Sequence, residues 1–292
     1  MLPVPFKEEL EKQLSEKFSR SLIIQNIKPV SGGCINNTIR LETNLKTFFL
    51  KINSAKKFPG MFETEAKGLQ LLAKANEIKI PAVILSGEYD DISYLIFEWI
   101  EQGKRRKDFF EDFGRKLARV HKHTGKYFGL DHNNYIGSLP QSNQQSENGI
   151  DFFIEQRLLK QIDLAVANNA ISNSTIEQFD NLFKKLPEII PNETPALLHG
   201  DLWSGNYMTD ENGAACIIDP AVYYGYREAD IAMTKLFGGY DSEFYDAYNE
   251  ELPLQNGWQE RLDIFNLYPL MVHVNLFGGG YMQQVKQVLG KY

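Results

Sequence analysis

The chain has 292 residues, 43% of them hydrophobic and 24% charged, with 19 Phe, 14 Tyr and 3 Trp. This composition supplies a sizeable core and excludes a disordered or collagen-like chain. Lys and Arg number 31 against 38 Asp and Glu, a formal charge of −7, which argues against non-specific attachment to nucleic acid or an anionic membrane, since both need a cationic surface. Two cysteines, Cys34 and Cys216, are too few for a disulfide framework or a four-cysteine zinc site. No run of apolar residues is long enough to span a bilayer, and the first residues lack a cationic start followed by an apolar stretch. No membrane segment or signal peptide is expected, and the expected location is the cytoplasm.

In chain order, residues 5–20 carry Leu10, Leu14 and Phe18 at i, i+4 and i+8, the spacing of an amphipathic helix. Strands are expected at 22–29, 37–43 and 47–52, with a Ser31-Gly32-Gly33 turn after the first and a link at 43–46 between the others. A helix over 61–75 follows, then strands at 81–86 and 93–99 with a turn at 87–91. From residue 105 the pattern becomes helical, at 107–123, 151–169, 174–186, 227–239, 241–250 and 257–277, with a strand-and-turn block between 195 and 226. The polar stretch 141–149 lacks periodicity and is expected to be a surface loop. The reading is an α+β protein of two unequal lobes: an antiparallel sheet with one helix in 1–98, a hinge at 99–103, and a larger, mainly helical lobe in 104–292.

The chemistry is concentrated in His199-Gly200-Asp201-Leu202-Trp203-Ser204-Gly205-Asn206, which fits the H-x-D-L-x-x-x-N loop of protein-kinase-like phosphotransferases. Asp201 is placed to accept the proton of an attacking hydroxyl. Asn206 is placed to turn back onto a Mg²⁺ bound to nucleotide phosphates, and His199 to brace the loop. Beyond a short hairpin, Ile217-Ile218-Asp219-Pro220 ends a strand in a second carboxylate, in the position of the metal-bridging Asp of Asp-Phe-Gly, though Pro220-Ala221 replaces Phe-Gly. Upstream, Phe48-Phe49-Leu50-Lys51-Ile52 sets one Lys among apolar residues, where it needs a partner. Glu65 shares a helix face with Phe62, Leu69 and Leu72, whereas Glu63 sits with Lys67 and Gln70, so Glu65 is the expected partner holding Lys51 toward the α- and β-phosphates. Gly32, Gly33 and Cys34 come before both, where backbone N–H groups would approach the phosphates. Phe97, Glu98, Trp99 and Ile100 are the expected adenine contacts.

Ala196 to Asn206, with its Trp-Ser-Gly-Asn ending, together with Asp219-Pro220-Ala221, Tyr224-Gly225, Asn134-Tyr135-Ile136-Gly137 and His273-x-Asn275-x-Phe277-Gly278, resembles the fructosamine kinase (ketosamine-3-kinase) family, within the aminoglycoside-phosphotransferase-like branch of the kinase fold. Further matches are Phe62-Glu63-x-Glu65 and Met233…Phe237-Gly238-Gly239. The resemblance covers nearly the whole chain. It implies ATP- and Mg²⁺-dependent phosphorylation of the 3-hydroxyl of a ketosamine on a free or protein-bound amine, with deglycation following. Other small-molecule kinases, for aminoglycoside, choline or homoserine, form the alternative, and a nucleotide-binding pseudokinase stands further off, because Lys51, Asp201, Asn206 and Asp219 are all present.

Trp203 is a candidate for stacking on the sugar and His273 for hydrogen bonding to it. Asp230 is expected to accept N–H bonds from the catalytic loop and stiffen it. Cys34, beside phosphate-binding backbone donors and Lys51, is expected to be an oxidisable thiol that could link two chains of an otherwise monomeric protein; Cys216, in an apolar strand, is expected to be buried and inert.

Overall fold

The computed structural model describes residues 2–30 and 36–292. Gly32, Gly33 and Cys34 lie outside the described residues.

The first lobe is built on one antiparallel sheet of β1 (Ile24–Pro29), β2 (Asn37–Thr43), β3 (Thr47–Ser54), β4 (Val83–Tyr89) and β5 (Ile92–Glu98), in the order β1-β2-β3-β5-β4. The alternation of β3 decides what each face buries. Phe48 and Leu50 pack with Phe6, Leu10 and Leu14 of α1 (Val4–Phe18). Phe49 points to the opposite face, where Met61, Phe62 and Leu69 of α2 (Met61–Ala75) pack with Leu95 and Phe97. Lys51 has the parity of Phe49 and pairs in register with Leu95, so its side chain emerges beneath α2. The β4–β5 hairpin is tighter than its sequence suggested. Tyr89 pairs with Ile92 across Asp90 and Asp91, and Asp90 takes the left-handed conformation, φ 52°, that a two-residue turn needs.

From Glu98 the chain crosses without regular structure to α3 (Phe109–His121), tied to the second lobe where Gly103 N–H donates to Asp210 O at 3.1 Å. A small hairpin, β6 (Asn134–Ile136) and β7 (Leu139–Gln141), follows. The stretch read as a surface loop is partly interior: Gln141 and Asn143 are buried, because their amides are fully engaged in hydrogen bonds, which offsets the cost of leaving water. The next helix is α4 (Gly149–Phe152), a π-helical turn (Phe153–Leu158) and α5 (Leu159–Ala167) run together. Then come α6 (Asn173–Ile189), β8 (Ala196–Leu198), β9 (Tyr207–Thr209), β10 (Ala215–Ile217), β11 (Tyr223–Gly225), α7 (Glu228–Leu236), α8 (Ser242–Glu251), α9 (Trp258–Phe277) and α10 (Tyr281–Leu289). The last was not read from sequence; Val285, Val288 and Leu289 bury its inner face.

The second lobe's core runs from α3 through α5, α6 and β8 to α9, with Leu117, Leu182, Leu198, Ile264 and Met271 among its buried residues. Helix α9 is buried on nearly every side. No described helix is long and apolar enough to cross a membrane.

Candidate active site

The loop between β8 and β9 is held by a carboxylate beneath it. Asp230, in the first turn of α7, accepts the N–H of His199 at 2.7 Å and of Gly200 at 2.8 Å. His121 Nε2 lies 3.2 Å from the same carboxylate, and its Nδ1 is 2.7 Å from the Tyr248 hydroxyl. Burial works to raise Asp230, but the His121 contact, His199 and the backbone donor of Gly200 outweigh it and hold the group below its usual range. Gly200 has φ 82°, and a Cβ there would stand 2.1 Å from Ala221 O, so only glycine lets loop and return strand approach this closely. The buried His199 ring donates from Nε2 to Ile218 O at 2.9 Å, which leaves Nδ1 to accept the N–H of Asp201 at 3.2 Å. Burial holds this imidazole below its usual pKa, so it is a neutral spacer.

Two residues on, Asp201 is gripped by Asn206, whose Nδ2 donates to Asp201 Oδ2 at 2.9 Å and to Asp201 O at 2.8 Å. Burial pushes the Asp201 carboxyl up to about 7, against the Asn206 hydrogen bond, with the negative charges of Asp219 and Asp230 adding to the rise. A carboxyl poised there is matched to proton transfer near neutral pH. Both bonds use Asn206 Nδ2, so its Oδ1 is the atom left to face the cleft.

The β9–β10 hairpin brings the second carboxylate back. Ile218 N–H donates to Asn206 O at 3.0 Å, and Asp219 follows in the left-handed region, φ 55°. This conformation is uncommon outside glycine and is kept where the surroundings over-determine it. Lys51, 3% exposed, reaches both limbs: its Nζ lies 2.6 Å from Glu65 Oε1 and 2.6 Å from Asp219 Oδ1. Burial would lower the ammonium, yet Asp219 and Glu65 together raise it. Burial raises Glu65 against the pull of Lys51. Glu63 is exposed and pairs with Lys67 at 2.7 Å.

Lys51, Glu65, Asp201, Asn206 and Asp219 line one cleft of about 220 Å³, together with Trp203 and His273. Trp203 packs edge-on against Phe237 at 6.0 Å, and Phe237 is 4.9 Å from the His273 ring. His273 Nδ1 donates to Pro269 O at 2.7 Å; burial lowers the ring's pKa, so in the neutral ring Nε2 is the nitrogen without a proton. Phe97, Glu98, Trp99 and Ile100 do not line this cleft. Phe97 lies buried under Lys51, ring centroid 6.0 Å from Nζ, and Trp99 carries Arg40 at 4.6 Å.

Several participants were not anticipated. Asn36, Asn134, Tyr135, Ile136 and Gly137 form part of the cleft wall, and the Tyr135 hydroxyl donates to Pro59 O at 3.0 Å, tying the β6–β7 hairpin to the entry of α2. The 134–137 stretch carried a signal as a family match without a stated role. His121 and Tyr248 carried none, because their pairing with Asp230 joins distant segments.

Among the described residues, no group of three or more His, Cys, Asp or Glu forms a ready-made metal cage. What the cleft offers is the Asn206 amide oxygen and the Asp219 carboxylate, hard oxygen donors that suit a Mg²⁺ drawing its remaining ligands from phosphates and water.

The fructosamine kinase family model matches residues 6–292. A probable ketoamine kinase of Enterococcus faecium is 42% identical over 266 residues, covering 90% of this chain and 94% of that protein. The chloroplastic protein-ribulosamine 3-kinase of Arabidopsis thaliana is 40% identical over 275 residues, covering 92% and 83%. The crystal structure of a protein assigned as a fructosamine-3-kinase from Haemophilus somnus 129PT superposes with a TM-score of 0.88 at 29% identity, covering 97% of this chain and 96% of that one. Its match extends over both lobes, so the α+β, kinase-like architecture is common to the two.

Proposed function

This chain belongs to the fructosamine kinase family, and on that premise we propose how its cleft works. It is an ATP-dependent phosphotransferase acting on ketosamines. In our reading ATP enters between the 1–98 and 104–292 lobes, with 99–103 as the hinge and its adenine against Phe97, Glu98, Trp99 and Ile100. Gly32, Gly33 and Cys34 cover the phosphates, and Lys51, held by Glu65, orients the α- and β-phosphates. Asn206 and Asp219 hold Mg²⁺, which when bound neutralises charge on the phosphate oxygens.

Asp201 accepts the proton of the sugar's 3-hydroxyl as that oxygen attacks the γ-phosphorus and the bond to the β-phosphate oxygen breaks, releasing ADP. Because such transition states are loose, positioning and charge neutralisation supply most of the acceleration. His199 and Asp230 brace the loop. Trp203 stacks on the sugar and His273 Nε2 accepts from one of its hydroxyls. On a glycated lysine, loss of a C1 proton to the 1,2-enaminol lets the C3 phosphate leave by elimination, and water then hydrolyses the resulting imine, breaking the C1–N bond and freeing the amine.

The observation that carries this reading is the convergence of Asp201, Asn206 and Asp219 on one cleft with the Lys51–Glu65 pair. The test is ADP release with a panel of acceptors: N-ribulosyl-lysine, N-fructosyl-lysine, an aminoglycoside, choline and homoserine. Turnover confined to the ketosamines supports it; turnover of another acceptor with neither ketosamine used overturns it.

We place the enzyme in the cytoplasm, monomeric when reduced. Burial pushes the Cys216 thiol up to about 12, which makes it a poor nucleophile, so any oxidative link between chains falls to Cys34. A dimer band on a non-reducing gel that persists in Cys34→Ser removes that link.

A further inference from the structure

Arg157 is among the largest fully buried side chains, and no carboxylate among the described residues pairs with it. A buried cation without a counter-charge is costly unless each donor finds an acceptor. Here Nη1 donates to Ser142 O and, at 3.0 Å, to Gln156 O, and Nη2 donates to Asn143 Oδ1 at 2.8 Å, while Nε has no hydrogen-bond partner among the described residues. The guanidinium lies over the Tyr223 ring at 3.9 Å and near those of Phe152 at 4.6 Å and Tyr268 at 5.3 Å, cation–π contacts that strengthen away from water. The residue sits in the π-helical turn Phe153–Leu158. The wider turn brings Gln156 and Arg157, adjacent in sequence, to the interior together: Gln156 Oε1 accepts from Ser142 Oγ at 2.6 Å. Such π turns recur at functional sites.

From Arg157 a chain of amides runs to the cleft floor. Asn143 Nδ2 donates to Asn134 Oδ1 at 2.9 Å. Gln141 Nε2 donates to the same Oδ1 at 2.8 Å and to Ala221 O at 3.1 Å. Asn134 Nδ2 donates to Val222 O at 2.8 Å, and the Tyr268 hydroxyl donates to Gln141 Oε1 at 2.8 Å. The chain therefore ends on the carbonyls two and three residues beyond Asp219, the residue held in the left-handed region.

We propose that Arg157 is a positioning residue for the metal-side limb of the cleft: through Asn143, Asn134 and Gln141 it fixes the backbone of Ala221 and Val222 and thereby the direction of the Asp219 carboxylate. The proposal rests on the reading of Asp219 as a metal ligand. A network with every amide matched is rigid, and losing one member leaves the others unsatisfied. Its effect is specific: loosening it impairs the use of metal more than it impairs folding.

The test is calorimetric titration of intact enzyme with AMP-PNP in Mg²⁺ and again in EDTA. The ratio of the two dissociation constants is the metal-dependent gain in affinity, and melting temperature is recorded alongside. Tyr268→Phe and Gln141→Met, which keep most of the packing, should lower that gain at least threefold; Arg157→Lys, which keeps the charge and loses the planar fork, should lower it further. Phe179→Leu, in the core away from this network, supplies a matched loss of melting temperature and should leave the gain unchanged. If Tyr268→Phe and Gln141→Met lower melting temperature but leave the gain at the wild-type value, the network is structural only and the proposal fails, whether or not Arg157→Lys folds. Asp219→Asn separates the two ideas: if it too leaves the gain unchanged, the metal reading of Asp219 is what has failed.

Discussion

The Lys51 ammonium lies 2.6 Å from Glu65 on α2 and 2.6 Å from Asp219 beyond β10. One buried cation thus joins the helix of the small lobe to the limb of the large one that follows β10. Its two partners differ in their access to water: the Glu65 side chain is 12% exposed and that of Asp219 40%.

That asymmetry sets the outcome of removing the lysine. Lys51→Met strands Glu65 as an uncompensated buried charge, a loss of about 3–5 kcal/mol, while Asp219 can hydrate. Urea unfolding should show the loss, and turnover should fall at least about 100-fold, as expected for a positioning group of the transferred phosphoryl. Lys51→Met/Glu65→Leu should regain most of the stability and none of the activity. Activity regained with stability would show that Lys51 acts only as a structural prop.

Asp201 carries the opposite balance. Its carboxyl sits near 7, against about 3.9 in an unfolded chain. The folded protein therefore binds this proton more tightly, and the group's contribution to stability falls as pH rises from about 4 through about 7. Asp201→Asn should abolish turnover while keeping ATP affinity, and should be more stable than wild type by roughly 1–4 kcal/mol at pH 8, with a smaller difference at pH 5. Paired denaturation curves at the two pH values check it; equal differences at both would contradict the origin of the shift in burial.

The same carboxyl shapes the rate. Acting as a base, it must be ionised, so kcat/KM for the acceptor should fall about tenfold per pH unit below its pKa, and Mg²⁺ bound beside it should move the bend below the value of about 7 that the carboxyl has without the metal. A rate that rises as pH falls from 8 to 5.5 would remove Asp201 from the proton transfer.

Asp230 accepts two backbone N–H groups of the catalytic loop. Asp230→Asn retains the shape but places an amide donor where an acceptor is needed. The expected result is a fall in kcat of roughly 10- to 100-fold, since small misplacements of reacting groups cost that much, with KM for ATP within about twofold. A change confined to KM would place the residue on the nucleotide side instead.

Much of the architecture was legible because it rests on local periodicity. The alternation around Lys51 and the helical face of Glu65 point both side chains to one interior, and the spacing from His199 to Asn206 keeps a base and an amide on one short loop. What stayed hidden depends on long-range pairing. Gln141 and Asn143 read as solvent-facing because isolated amides prefer water; they are interior because Arg157, Asn134 and Tyr268 satisfy them. Arg157 was overlooked because a π turn shifts the phase of the 3.6-residue pattern. His121 meets Asp230 across more than a hundred residues, and no local pattern records such a contact.

The account is tested most directly by incubating the protein with Mg²⁺, ATP and N-ribulosyl-lysine and locating phosphorus in the product by two-dimensional ¹H–³¹P NMR. Coupling of the new phosphate to the proton on C3, present with wild type and absent with Asp201→Asn, is the predicted result. Phosphate on a different carbon, or a 3-phosphate formed equally well by Asp201→Asn, would contradict it.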